Sequence, residues 1–236
     1  MKSLDLTNFL SAFPFEPGRV NARLARGDDG RELLQVRVEL GILQMECQGR
    51  PDGAPSVLEA ALARVRLSRG RFLDLQASAA IRLELGLMQQ RSVAFLAVGD
   101  PVRALRDAES VLVGTELVGA RGPEAEREWA EGALFSVLVL KTRCAAAASM
   151  TAGRAREASL AIEAGLRALH AVAERIGISE SFDVLGDVTA LRALRDTLVP
   201  QLPPAQRAEL EARLRAAVLA ENYELASILR DELRLL

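Results

Sequence analysis

From residue 56 to the C-terminal end, apolar residues recur at three- and four-residue spacing. The segments lie near 56–68, 72–98, 101–118, 123–150, 154–176, 181–199, 204–220 and 223–235. Such spacing gives each segment one apolar stripe, so the chain must bury helix against helix. Gly70, Gly99, Gly122, Gly153 and Gly177 fall near the junctions. Pro101 and Pro123 suit the first turn of a helix, where a missing N–H costs nothing. Pro200, Pro203 and Pro204 mark the last boundary. Aromatic residues make up only 4% of the chain although half of it is apolar, so Leu, Val and Ala must fill the core. Ala and Leu are also the strongest helix formers.

The first 55 residues read differently. Leu4, Leu6, Phe9, Leu10 and Phe13 give a short amphipathic helix that Pro14 and Pro17 end. Leu34, Val36, Val38, Leu40 and Ile42 alternate with Gln35, Arg37, Glu39 and Gly41, the period of a strand with one buried face. Val20, Ala22 and Leu24 alternate in the same way upstream. Gly27-Asp28-Asp29-Gly30 lies between, a turn sequence suited to positive φ, so the expectation is a β-hairpin. A two-stranded hairpin is marginal alone and must pack on helices or extend its sheet through another chain. Gln48-Gly49-Arg50-Pro51-Asp52-Gly53 reads as a turn-rich link. The segment Leu43-Gln44-Met45-Glu46, with the Arg50–Gly53 turn, is the first place to look for a functional surface outside the C-terminal region.

Three parts are expected: an N-terminal helix and β-hairpin over 1–55, a helical body over 56–200, and a helical hairpin over 201–236. The fold class is mainly α. Within the body, Phe95-Leu96-Ala97, Gly99-Asp100, Ala104 and Ala108 match a second stretch of Ala145 to Ser149, Gly153-Arg154, Ala158 and Ile162, 54 positions on. In each, a Gly precedes an Ala by five positions. This resembles the turn between the paired helices of a tetratricopeptide (TPR) unit, where Gly permits the turn and Ala the close approach. The spacing departs from the usual period of about 34 residues, and Ser149 stands where the first copy has Phe95. The resemblance implies an antiparallel, repeat-like helical body with a groove for a peptide or helix.

Chemistry is sparse. Lys and Arg nearly balance Asp and Glu, for a net charge of -2, without the basic excess or stripe that nucleic-acid binders usually show. His170 is the one histidine, and no zinc-ligand spacing, P-loop, GxGxxG before a helix or GxSxG occurs. Cys47 and Cys144 are far apart and read as buried thiols, not a disulfide framework. Gly27–Gly30 has too few oxygen ligands for a calcium loop. Trp129 reads as a helix-packing residue. No catalytic, cofactor-binding or metal residue is assigned and no enzyme activity is expected. No signal-like segment opens the chain and no run of eighteen apolar residues is present, so a cytoplasmic protein is expected.

The last segment, AQRAELEARLRAAVLAENYELASILRDELRLL, places Leu210, Leu214, Ala217 and Val218 on one helix face and Tyr223, Ala226, Ile228, Leu229 and Leu233 on the next. Glu221-Asn222-Tyr223-Glu224 supplies the connection, and the two helices should zip antiparallel with a coiled-coil-like seam. Asn222, Tyr223, Glu224, Ala226, Leu229, Arg230 and Asp231 resemble the signature of the UvrB/UvrC (UVR) motif, with Ser227 where that motif usually has a second Ala. The resemblance implies a docking module without an active site. Its partner-binding residues would be Leu210, Leu214, Val218, Tyr223, Ala226, Leu229, Arg230 and Leu233. The whole chain is further similar to a family of uncharacterised bacterial proteins that join an N-terminal hairpin, a TPR-like body and a UVR hairpin. That similarity is carried by Gly27–Arg31, Gln35–Arg37, Leu40–Glu46 and Gly49–Gly53. The expected function is a non-enzymatic adaptor with protein partners and a homodimeric state. The alternative is an accessory factor in DNA repair or another nucleic-acid transaction.

Overall fold

A computed structural model describes residues 6–67, 72–198, 204–220 and 222–234. The fold is mainly helical with one small antiparallel sheet. Two compact units divide at residues 144 and 145, within a single long helix.

The first unit opens with α1 (Thr7–Ala12), which buries none of its residues. Leu4, expected on its apolar face, lies outside the described residues. The sheet has three strands rather than the two expected: β1 (Asn21–Arg26), β2 (Glu32–Val38) and β3 (Gly41–Glu46), in that order. The alternation through Leu40 and Ile42 conceals a turn. Val38 pairs with Gly41, leaving Glu39 and Leu40 as the bend, and Leu40 is 92% exposed. The Gly27–Gly30 turn forms as expected. Gly27 N–H donates to the Arg31 carbonyl and Gly30 N–H to that of Gly27, while Asp29 accepts from Arg31 N–H. The register places Ala22, Val36 and Leu43 in one row and Leu24, Leu34 and Met45 in the next, on one face. That face packs on helices. The other face meets the segment after α1, where Arg37 donates from Nε to the Phe13 carbonyl at 2.9 Å and the Arg23 guanidinium stacks on the Phe13 ring.

Helices α2 (Val57–Leu67), α3 (Leu75–Ala97), α4 (Pro101–Arg121) and α5 (Glu124–Thr151) follow. Asp74 caps α3 by accepting from Ala77 N–H, and Asp100 caps α4 by accepting from Arg103 N–H, with Pro101 in the first turn as expected. One core cluster joins Leu58 of α2, Ile81 and Leu85 of α3, Val111 and Val118 of α4, and Val137 of α5. A second joins Leu34 and Met45 of the sheet to Phe95, Ala104, Ala108 and Cys144. Gly114 sets how closely α3 and α4 approach, since a Cβ there would lie 2.4 Å from the Leu85 side chain. α5 is the one helix among the described residues long and apolar enough, by length and composition, to cross a membrane.

The second unit contains the end of α5, α6 (Ala155–Arg175), a 3-10 turn (Ser179–Val184), α7 (Gly186–Leu198), α8 (Pro204–Leu219) and α9 (Tyr223–Arg234). The segment expected as one helix over 181–199 thus begins as a tighter turn before α7. Gly70, Pro200 and Pro203, read as boundary residues, lie outside the described residues. The turns after α3 and α5 share one geometry. Gly99 (φ 79) and Gly153 (φ 71) are both left-handed. Asp100 N–H reaches the Phe95 carbonyl and Arg154 N–H the Ser149 carbonyl, both at 2.9 Å. Ala104 and Ala158, five positions after each Gly, are both fully buried. The left-handed glycine frees two carbonyls at the helix end to be capped from beyond the turn.

Candidate functional site

The C-terminal hairpin is built on small and large apolar residues that alternate across its seam. Leu210, Ala217, Ala226 and Leu229 are buried between α8 and α9, with Leu214 and Leu233 packed against them. Asn222 makes the connection. Its N–H donates to the Ala217 carbonyl at 3.0 Å, closing α8. Its Oδ1 accepts from Leu225 N–H at 3.1 Å, capping α9. Asn222 thus serves both ends, α8 through its main-chain N–H and α9 through a short side chain that reaches the N–H three residues on. Glu221, the first residue of the expected connection, lies outside the described residues.

The eight residues expected to bind a partner separate into two groups. Leu210, Leu214, Ala226, Leu229 and Leu233 face the hairpin's own seam. Val218, Tyr223 and Arg230 face out; Tyr223 is 70% exposed, and Arg230 donates to Ser227 and pairs with Asp231. Tyr223 and Ile228, expected to line the seam, lie outside it, because Ala226 and Leu229 already fill the approach to α8. Val218 is likewise exposed while its neighbour Ala217 is buried. Leu219 (85% exposed) and Leu225 join this outer group; sequence reading omitted them because they fall off the seam's spacing. The end of the hairpin near its connection therefore exposes Val218, Leu219, Tyr223, Leu225 and Ile228.

Two buried polar groups inside the first unit form closed sets, around Arg91 and Glu84. The Arg91 guanidinium pairs with both oxygens of Asp107 and donates from Nη1 to the Glu46 carbonyl at 2.7 Å. Arg106 reaches Asp107 and the Cys47 carbonyl. These contacts fasten the end of β3 to α3 and α4. Glu84, fully buried on α3, accepts from Ser56 Oγ and from the N–H groups of Val57 and Leu58, so its charge sits at the start of α2. Ser56 Oγ in turn accepts from Glu59 N–H. These side chains hold elements together, and Ser56 also borders a cavity of about 600 Å³ beside α2, with Arg64 and Asp74 in its lining.

The cysteines are equally closed. Burial raises the Cys144 thiol above its ordinary pKa, only partly offset by the Ser92 hydroxyl 3.5 Å away. Burial also raises Cys47, against the opposing effect of Arg103. Both thiols therefore stay protonated and weakly nucleophilic at neutral pH. His170 stacks edge-on against Phe182 and lies 3.4 Å from Glu174, on the outer side of α6. Trp129 packs beside the first core cluster with the Arg82 guanidinium over its ring. Among the described residues, no group of three or more His, Cys, Asp and Glu is placed to hold a metal ion. A cavity of about 480 Å³ lies between the sheet and α3, lined by Val36, Leu43, Met45, Gly86, Gln90 and Val93 among others. It is apolar and carries no titratable group. No family model, curated protein or solved structure matches the chain.

Proposed function

We propose that this chain is a non-enzymatic, cytoplasmic adaptor that docks protein partners through its UVR-like C-terminal hairpin and its TPR-like helical body, and that it self-associates through its N-terminal sheet. The observation that carries the reading is the outer row of the hairpin. Val218, Leu219, Tyr223, Leu225 and Ile228 expose apolar surface on a hairpin whose own seam is already filled. Exposed apolar side chains gathered at one end of a hairpin suit a protein interaction site, and an aromatic such as Tyr223 is a common anchor. The partner is another amphipathic helix, which would lay its apolar stripe against that end of the hairpin. The matched turns at Gly99 and Gly153 support TPR-like helix pairs, since each joins two helices by the same left-handed glycine.

Affinity capture with the full chain tests this reading. A Leu219→Glu/Tyr223→Glu/Ile228→Glu variant alters only exposed positions, so its helicity and melting should match the unaltered chain. A defined set of polypeptides retained by the unaltered chain and lost by the variant is the expected result. Equal retention by both would remove the hairpin's outer row as the docking surface.

A further inference from the structure

We propose that β3 is the edge through which two copies of this chain pair, antiparallel about Leu43, so that two three-stranded sheets become one of six strands. The inference rests on the self-association read above and names its surface and register.

The phase of the sheet follows from its turn. Gly27 N–H donates to the Arg31 carbonyl, so Gly27 and Arg31 are a hydrogen-bonded pair. Main-chain direction alternates along an antiparallel strand. The register then turns the peptide groups of Leu34, Val36 and Val38 toward β3, and those of Met45, Leu43 and Gly41 back toward β2. Ile42, Gln44 and Glu46 point their main chain outward. Glu46 agrees with this phase, since its N–H donates away from β2 to the Pro51 carbonyl at 2.8 Å. Among the described residues, nothing takes the outward N–H and C=O groups of Ile42 and Gln44.

Edge strands are usually guarded by charge, proline or a bulge. The β1 edge carries Arg23 and Arg26, and Asn21 ties its start to the carbonyls of Glu16 and Arg19. Gly41–Met45 has no charge and no proline. Its occupant must be a strand, because open peptide groups two residues apart match the repeat of an extended chain.

The open window also selects a second copy and its register. Among the described residues of this edge only Ile42 and Gln44 are free, because the Glu46 N–H is taken by Pro51 and its carbonyl by Arg91. An axis at Leu43 sets Ile42 of each copy against Gln44 of the other, which satisfies every open group. An axis at Gln44 would instead require Glu46. The strand is uncharged from Gly41 to Met45, so no like charges meet across the axis. On the helix-facing side, Leu43, 45% exposed, meets its counterpart, and Met45 meets Gly41, a large residue against a small one. The added strand extends the sheet that roofs the apolar cavity above Gly86 and Val93. On the opposite face Arg23 donates to Gln35, and Gln35 to Gln44, each at 2.9 Å, which holds Gln44 in line for the pairing.

The test is disulfide trapping in the full chain. Residues opposite each other in a non-hydrogen-bonded antiparallel pair lie about 4.5 Å apart at Cα, within reach of a disulfide. Under mild oxidation Leu43→Cys should run as a covalent dimer, whereas Leu24→Cys, exposed on the β1 edge, should stay monomeric. Cys47 and Cys144 are buried and should not interfere. Light scattering of the unaltered chain should give twice the monomer mass. Gln44→Pro should halve it with helicity retained, because that N–H is outside the β2 ladder. A dimeric mass without trapping at Leu43, or with equal trapping at Leu24, overturns the β3 pairing and leaves self-association standing. A monomeric mass at high concentration overturns both.

Discussion

Arg91 and Asp107 meet in two parallel hydrogen bonds, Nε to Oδ2 at 2.7 Å and Nη2 to Oδ1 at 2.9 Å, with each side chain 2% exposed. The same guanidinium holds the Glu46 carbonyl. One side chain thus joins α3, α4 and the end of β3. Removing one partner leaves a buried charge unpaired, which costs about 3–5 kcal/mol. Asp107→Leu should lose stability of that order in denaturant unfolding. Arg91→Met combined with Asp107→Leu should lose clearly less than the two single changes added together. A simple sum would mean that the residues are not coupled.

Glu84 presents a different case, a buried carboxylate answered by a helix start. Hydrogen bonds to a charged group contribute about 1.5–3 kcal/mol. Glu84→Ala should cost at least that much and should speed amide hydrogen exchange in α2 before other helices. Unchanged exchange over residues 57–67 would contradict the role of Glu84 as the anchor of α2.

Asp100 gives a pH dependence. Burial raises its carboxyl, but hydrogen bonds from the Arg103 main chain and guanidinium outweigh burial and hold it below the usual carboxylate range. A depressed folded pKa gives stability that is complete above the ordinary value of 3.8 and is lost as pH falls through the folded one. Asp100→Ala should therefore cost about 1 kcal/mol at neutral pH as a lost helix cap. The gap from the unaltered chain should narrow as pH falls below 3.8. Urea unfolding at pH 7 and pH 3 measures it.

Leu229 and Tyr223 separate the inside of the hairpin from its outside. Leu229, 2% exposed, fills the seam, so Leu229→Ala should cost about 2–4 kcal/mol in the stability of the hairpin. Tyr223→Ala should change it by less than about 0.5 kcal/mol. Hydrogen exchange of α8 and α9 in the full chain reads both. Equal losses would place Tyr223 in the seam.

Most helix positions were legible because apolar spacing and Gly or Pro punctuation agree locally. The turns at Gly99 and Gly153 were legible because a left-handed residue almost demands glycine. β3 was hidden because Leu40 keeps the alternation running through a bend, and pattern alone does not reveal a two-residue turn. The partnerships of Arg91 with Asp107 and of Glu84 with Ser56 span too many residues for any local pattern. In the hairpin, Leu210, Leu214, Ala226, Leu229 and Leu233 follow seam spacing. Tyr223 and Ile228 share the same spacing and are apolar too, so only the position of α8 decides which residues turn inward. The change of compact unit falls within α5, at Arg143-Cys144-Ala145, where no Gly or Pro marks it.

Site-specific photo-crosslinking from position 223 in the full chain, expressed in its native cells, tests the docking role of the hairpin most directly. A photoreactive phenylalanine derivative there should yield a discrete adduct with another polypeptide. The same probe at Leu40, even more exposed but on the sheet turn, should not give that adduct. The absence of any adduct at 223, or the same adduct from both positions, would contradict partner docking on the outer row of the hairpin.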